Sequence, residues 1–313
     1  MKEVGFLYDE VFLRHEPPPW HPERKARLAH IVATLRKTGL WRKLRHIPPR
    51  RAGFDDIALV HTREHIEKIK ACSKDGCLDP DTYTSKGSLE AALYAAGALM
   101  EAVDRCRARE ISRAFCAVRP PGHHAEADCS MGFCLFNNIA IGARYARKIG
   151  YERVFIVDFD AHHGNGTQHI FEEDDTVFYF STHQYPYYPE TGKDLERGRG
   201  KGQGYTYNVQ IQVGSGNKDY LYVYQDIVPD LVRRFAPDLI LVSAGYDIHA
   251  QDPHADIRVT SEGIRGIVRS ILASSPRPMI FTLEGGYDLD SLAESVCITI
   301  EEMLDKRNIC ERE

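Results

Sequence analysis

The apolar positions along the chain fall into two alternating patterns. Short apolar runs at residues 4–8, 114–118, 154–157, 176–180, 239–242 and 279–283 predict strands, as does a longer stretch at 205–213. A strand covered on both faces carries apolar residues without interruption. Between these runs, helical spacing recurs over 23–38, 88–105, 139–149, 220–235, 261–274 and 290–306. In the first of them Leu28, Ile31, Val32 and Leu35 form one stripe, and Gly39 supplies a stop. Strand and helix thus alternate, which implies an α/β fold around a parallel sheet. No linker-like stretch and no repeat interrupts the pattern, so residues 1–313 are expected to form one domain, with a fraying polar tail after Asn308.

The residues directly behind the apolar runs carry the chemistry. Asp158, Asp160, His162 and His163 follow run 154–157. On an extended backbone alternate residues point the same way, so Asp158, Asp160 and His162 can converge. Carboxylates and an imidazole presented together make the core of a divalent-metal site. Gly164 and Gly166 permit a tight turn, and Thr167 is expected to cap a short helix. Behind run 114–118 comes Arg119-Pro-Pro-Gly-His-His-Ala125. A histidine doublet held by a proline turn suits acid–base chemistry, which tolerates little positional freedom. Ser181-Thr-His183, Asp247 and Tyr287 follow three further runs. Parallel sheets bind ligands at the carboxyl ends of their strands, so these five sets of groups are expected to build one site. Asp160, His162 and Asp247 supply three ligands and leave a fourth position open, as in a catalytic zinc centre. With a histidine to take a proton from water and a tyrosine to meet a developing oxyanion, the inventory describes metal-assisted hydrolysis of an amide or ester.

Other features change the picture less. His61-Thr-Arg-Glu-His65 has the spacing of an inverted zinc-protease motif, but Thr62 is a natural N-cap for a helix over 64–71, which leaves His61 outside it. The motif is read as accidental. A proline-stiffened loop carrying His15, Trp20 and His21 can frame a pocket or simply connect two elements. Residues 78–82 read as a polar turn. The glycine series 198–204 lacks Gly-Lys-Ser/Thr and precedes a strand, so it reads as a rim loop and not a phosphate loop. A net charge of −5 without a basic stripe argues against direct nucleic-acid binding. Eight scattered cysteines without a CxxC pair read as reduced thiols, and there is neither a signal-like start nor a membrane-length apolar run. A cytoplasmic protein is expected; homo-oligomerisation is left open.

Five segments resemble the histone deacetylases: Arg119 to Ala125, Gly132-Phe-Cys-Leu-Phe-Asn-Asn138, Val157-Asp-Phe-Asp-Ala-His-His-Gly-Asn-Gly-Thr167, Ser243-Ala-Gly-Tyr-Asp247 and Leu283-Glu-Gly-Gly-Tyr287. Asn165 and the Glu284-Gly-Gly pattern look like the class II type and its bacterial and archaeal relatives. The resemblance runs in order from about His15 to Leu292. It implies an arginase–deacetylase fold, a three-layer α/β/α domain with a mostly parallel eight-stranded sheet. It also implies a zinc-dependent deacylase acting on acetyl-lysine or a related acyl-lysine. By motif, Asp160, His162 and Asp247 would bind zinc, and His124 would be general base and then general acid. His123 would be its electrostatic partner, held by Asp158, while Asn165 would orient His124. Tyr287 would polarise the acyl carbonyl, and Gly132, Phe133 and Tyr188 would line an acyl-lysine tunnel. Two structural potassium ions are implied as well. One would use Asp158, Asp160, His162, Ser181 and Thr182, the other Phe171, Asp174, Val177 and Tyr205. His163 has no role in this scheme and is read as structural.

Three positions depart from the family pattern. Tyr188 stands where many relatives have Phe, and Glu190 where Gly is common. His254, after Asp252-Pro253, occupies a gatekeeper position that resembles neither the Leu of many lysine deacetylases nor the Glu of polyamine-selective ones. Glu190 and His254 are therefore candidate substrate contacts. The expected substrate is an acyl-lysine protein or peptide, with an acetylpolyamine or another small amide as the alternative. A binuclear ureohydrolase shares the fold but gives His123, His124 and Tyr287 no role. A non-catalytic acyl-lysine binding module leaves the complete residue set unexplained.

Overall fold

The structure is a computed structural model that describes residues 3–72 and 76–305. Among these the chain forms ten strands: β1 (Glu3–Leu7), β2 (Arg45–Ile47), β3 (Gly76–Cys77), β4 (Tyr83–Thr84), β5 (Ile111–Cys116), β6 (Val154–Asp158), β7 (Val177–Gln184), β8 (Thr206–Ile211), β9 (Leu239–Ala244) and β10 (Met279–Leu283). β3 and β4 make a small antiparallel hairpin. The other eight form one sheet in the order β2-β1-β5-β10-β9-β6-β7-β8, and every pairing in it is parallel. Burial follows position. β6, β7, β9 and β10 are buried along their whole length, whereas the edge strands β2 and β8 are only partly covered. That is why the central strands are written as unbroken apolar runs.

The helices are α1 (Ala26–Lys37), α2 (Phe54–Ile57), α3 (Arg63–Ala71), α4 (Ser88–Arg107) and α5 (Asn138–Lys148), then α6 (Asn165–Phe171), α7 (Asn217–Tyr222), α8 (Val228–Phe235), α9 (Ser261–Ala273) and α10 (Leu289–Leu304). α4 and α5 pack on each other and on the central strands; α1, α9 and α10 pack together in the other layer, with α7 and α8 against α9. This is the expected three-layer α/β/α architecture. α4 approaches its neighbours closely at Gly97, where a Cβ would lie 1.9 Å from the Arg50 carbonyl oxygen. Thr62 caps α3 by accepting from His65 N, and His61 stays outside the helix, as expected. Each of these histidines bonds to backbone instead: His61 to Glu126 O and Asn137 N, His65 to Leu135 O.

Several boundaries differ from the expectation. Thr167 lies inside α6 and not at its cap, because its hydroxyl is taken up by the Asn137 amide. The first helix starts at Ala26, leaving Glu23 ahead of it and fully buried. α7 passes through a π-helical turn, Val223–Ile227, before α8, so the stretch 220–235 is not one uniform helix. β7 continues to Gln184, which puts Ser181, Thr182 and His183 within the strand and not behind it. The glycine series 198–204 is no rim loop of a carboxyl-end site. It precedes β8 at the opposite end of the sheet and folds back on the turn before β7, with Arg199 N donating to Glu172 O and an Arg199–Glu172 ion pair. The end of the helix expected at 306 and the tail after Asn308 lie outside the described residues.

Candidate active site

The sheet register sets the site. Asp158 at the end of β6 stands opposite Ser243 of β9 and Ser181 of β7, and Leu283 of β10 stands opposite Ala244. The central strands therefore end at one level, and the loops that leave them meet above the middle of the sheet. There Asp160, His162 and Asp247 each bring a donor atom within 4.8 Å of the others. His162 Nδ1 lies 3.1 Å from both Asp160 Oδ1 and Asp247 Oδ2. Backbone N–H groups aim the carboxylates: Gly285 N donates to Asp160 Oδ2 at 2.8 Å and Ala161 N to Asp247 Oδ1 at 2.9 Å. The glycines here are steric requirements. A Cβ on Gly245 would lie 2.0 Å from Asp160 Oδ2, and one on Gly285 would lie 2.3 Å from Asp247 Oδ2.

This trio fits a divalent cation. Burial would lower the His162 pKa, yet hydrogen bonds and charge from Asp160 and Asp247 push it up to about 10. Burial raises the Asp247 pKa, and the neighbouring Asp160 raises it further. The cluster thus holds surplus negative charge, and a single imidazole proton sits where the two carboxylates converge. A dication bound by one imidazole and two carboxylates supplies that positive charge with the proton released.

The tandem histidines lie beside it, with ring centroids 4.0 Å apart. His123 Nδ1 is 3.0 Å from Asp158 Oδ2, which also accepts from Tyr179 Oη at 3.1 Å. His124 Nδ1 is 2.8 Å from Asn165 Oδ1. These partners separate the pair. Burial would lower the His123 pKa, but Asp158 and Asp160 override it and push it up to about 10. Burial, then the charges on His123 and His162, hold His124 well below its ordinary value. One imidazole is held charged and the other neutral.

Above these groups opens a cavity of about 240 Å³. His123, His124, Asp160 and His162 form its base; Gly132, Phe133, Tyr187 and Tyr188 form its walls; Asp81, Pro121, His254, Gly285 and Tyr287 complete the lining. Gly132 has φ +56°, and a Cβ there would lie 2.4 Å from the His124 ring, so only glycine lets this wall approach the base. Tyr287 is held from behind. Its N–H donates to Asp252 Oδ2 at 2.6 Å, and the Arg27 guanidinium lies 5.0 Å from its ring centroid. Arg27 also donates to Gly286 O and Glu284 O, each at 2.6 Å, so it grips the turn from which Tyr287 projects.

A model of the histone deacetylase domain matches residues 21–303. A probable deacetylase of Archaeoglobus fulgidus is 40% identical over 294 residues, which cover 92% of this chain and 82% of the relative. Histone deacetylase 5 of Arabidopsis thaliana is 35% identical over 330 residues; the match takes in 98% of this chain and 50% of that longer protein. The crystal structure of the HDA15 HD domain superposes with a TM-score of 0.93 at 35% identity, over 97% of this chain and 88% of the other. The chain belongs to the histone deacetylase family. A family deacetylase is a hydrolase, and its fold is the one described above.

In this histone deacetylase fold, the expected site residues Gly132, Phe133, Tyr188 and His254 all line the cavity. Glu190 does not. It follows the cavity wall on a tight turn at φ +67°, with its side chain in solvent. Ser181, Thr182 and His183 also stay out of the cavity, because they belong to β7; Ser181 Oγ meets His183 Nδ1, and Thr182 Oγ1 meets Tyr224 Oη. Ser181 is still paired with Asp158 across the sheet, which brings these two of the first set of expected potassium ligands side by side. Of the second set, Asp174 N donates to Phe171 O, while Tyr205 O accepts from Tyr179 N at the start of β7, the opposite end of the sheet. The Asp174 carboxylate itself is taken by Arg144 and Thr176. His163 bonds to Thr191 and Gln168, away from the metal trio. His15 and His21 are buried behind the wall, His21 against Phe133 with ring centroids 4.6 Å apart.

The sequence reading missed Asp81, Tyr187, Arg27, Glu126 and the Asp252 side chain. Asp81 was hidden in a polar turn, where Asp79 Oδ1 accepts from Asp81 N and Thr82 N. Its carboxyl pKa is pushed up to about 6 by burial and by Asp79. Arg27 is buried beside the apolar stripe of α1, and apart from Glu23, four residues before it, the groups it grips at the site, Glu284 O and Gly286 O, are more than 250 positions away. No local pattern marks it.

Proposed function

We propose that the chain is a zinc-dependent deacylase that hydrolyses the amide of acetyl-lysine or a related acyl-lysine, with His123 and His124 as its acid–base pair. The observation that carries this reading is His124. It turns Nδ1 to Asn165 and lines the same cavity as Asp160, His162 and Tyr287. Zn²⁺ held by Asp160, His162 and Asp247 would act as a Lewis acid toward the acyl carbonyl and the attacking water. His124, kept neutral, takes the proton from water and later delivers it to the leaving amine. His123, kept charged by Asp158, offsets the negative charge that builds in the transition state. The Tyr287 hydroxyl donates to the carbonyl oxygen as it becomes an oxyanion. Gly132, Phe133 and Tyr188 enclose the aliphatic chain, and His254, its ring tilted against Tyr287 with centroids 4.5 Å apart, borders the entrance. The two potassium sites belong to the same proposal as structural supports. So does the single-domain reading of residues 1–313.

Asp81 favours a second reading. A carboxyl group in the cavity lining can meet a protonated amine, which an acetylpolyamine carries and a peptide-bound acetyl-lysine does not. Zinc-loaded protein should be assayed with acetyl-lysine peptides against N-acetylputrescine and N-acetylspermidine. The lysine reading expects the peptides to lead in kcat/KM. A preference for the polyamines of a hundredfold or more would replace it with the second.

A further inference from the structure

The Asn165 side chain can present either its oxygen or its NH2 group to His124, and the choice decides which imidazole nitrogen bears hydrogen. The surroundings make that choice. Asn165 Nδ2 faces Glu126 Oε1, the His124 backbone oxygen at 3.3 Å and Met131 Sδ at 3.3 Å, and all three are acceptors. Only an NH2 group satisfies them, so the amide oxygen is turned to His124. An amide oxygen can only accept. His124 Nδ1 therefore carries the hydrogen, and its Nε2 keeps a free lone pair.

Glu126 is the charged member of the three. Its side chain is 18% exposed, and His169 Nδ1 lies 2.9 Å from the same carboxylate oxygen that accepts from Asn165. Asn165 and His169 are four residues apart on α6, so one face of that helix holds Glu126 through two groups. The hydrogen bond to Glu126 raises the His169 pKa, which favours a cation over the carboxylate. We propose that Glu126 is a positioning residue: by accepting from Asn165 it locks His124 in the tautomer whose Nε2 can take a proton. The inference rests on His124 being the base in the reading above. It explains how a neutral amide, which could flip, can orient a base as firmly as a carboxylate. A charge-assisted hydrogen bond is roughly twice as strong as a neutral one, and removing it leaves only two weaker acceptors to hold the amide.

The test removes the acceptor at position 126, or keeps it without its charge, and is read by activity and by NMR. In wild-type protein with ring-15N histidine, His124 should show a protonated Nδ1 and a bare Nε2. Glu126→Leu should mix the tautomers and lower kcat by roughly 10- to 100-fold, part of what acid–base catalysis supplies, with KM and zinc content unchanged. Asn165→Asp alone sets two carboxylates against each other and should also lose activity. Glu126→Gln keeps an acceptor oxygen for Asn165 Nδ2 and should hold the tautomer better, and lose less of kcat, than Glu126→Leu. If Glu126→Leu keeps both the tautomer and kcat, or Glu126→Gln fares no better than Glu126→Leu in either, the inference is overturned. Wild-type protein with the expected tautomer but no turnover of any acylated amine would instead sink the deacylase reading and leave the lock standing.

Discussion

Two clusters of buried charge flank Tyr287, and only one is balanced in the sense that its carboxylate is met by permanent cations. In the first, Glu23 pairs with Arg119 through both carboxylate oxygens and with Arg27 Nη1 at 3.2 Å, and all three side chains are fully buried. The remaining guanidinium nitrogens bond to backbone oxygens of Phe12, Glu284 and Gly286. Burial would raise the Glu23 pKa, but Arg119 and His15 hold it well below the carboxylate range. The second cluster sets Asp158, Asp160 and Asp247, with Glu284 nearby, against His123 and His162, whose charge depends on a proton. Burial pushes Glu284 up to about 7 even though it accepts from Gly122 N and Ser243 Oγ. Carboxylates matched by permanent cations end in structure; carboxylates crowded without them hold a strain that a bound cation relieves.

Breaking the balanced cluster should give the largest effect. Glu23→Ala leaves two buried guanidiniums without their carboxylate, and breaking a buried pair costs about 3–5 kcal/mol. Urea unfolding at pH 7 measures this. The Glu23 pKa is depressed on folding, so its contribution is present above the unfolded value of about 4.3 and fades as pH falls toward the folded one. The gap between wild type and variant should therefore narrow below about pH 4.3. A loss under 1 kcal/mol at pH 7 would make the two clusters alike, contrary to the comparison.

The two clusters were not equally visible in the sequence. Asp158, Asp160, His162 and Asp247 stand directly behind apolar runs, and strand direction alone carries them to one end of a parallel sheet. Glu23 and Arg119 are separated by 96 positions and Arg27 and Gly286 by 259, and a helical stripe says nothing about partners so distant. The same limit hid Glu126, whose place is set by α6 folding over the turn after His124. Where local pattern misled, the cause was also tertiary. Pairing with β8 keeps β7 extended past Phe180, so Ser181 to His183 are strand residues, and the loop that follows brings Tyr187 and Tyr188 to the cavity.

The unbalanced cluster should respond to metal where the balanced one does not. Zn²⁺ at a hundred times its Kd should stabilise chelator-treated protein by about 2.7 kcal/mol, the gain expected of a ligand that binds only the folded state. Thermal melts with and without added zinc test this. Asp160→Asn removes a ligand and should abolish most of the gain, whereas Glu23→Ala should keep it while melting lower throughout. An equal zinc response in Asp160→Asn would move the metal elsewhere.

The smallest effect has the opposite sign to the usual result of a buried substitution. In metal-free protein, Asp247 carries part of the surplus charge, and burial with Asp160 raises its pKa above the ordinary carboxylate value. A raised carboxyl pKa opposes folding once pH exceeds the unfolded value of about 3.9, because the unfolded chain then ionises more readily than the native one. Asp247→Asn removes that charge and keeps an oxygen to accept from Ala161 N. Metal-free Asp247→Asn should therefore match wild type near pH 4 and exceed it as pH rises toward neutrality. The expected excess is about 0.5–2 kcal/mol, typical when a functional site gives up its strain. Zinc should reverse the order, since the wild type then gains a ligand's full stabilisation and the variant does not. If metal-free Asp247→Asn is less stable than wild type at pH 7, the carboxylate is structural like Glu23, and the contrast between the clusters fails at that residue.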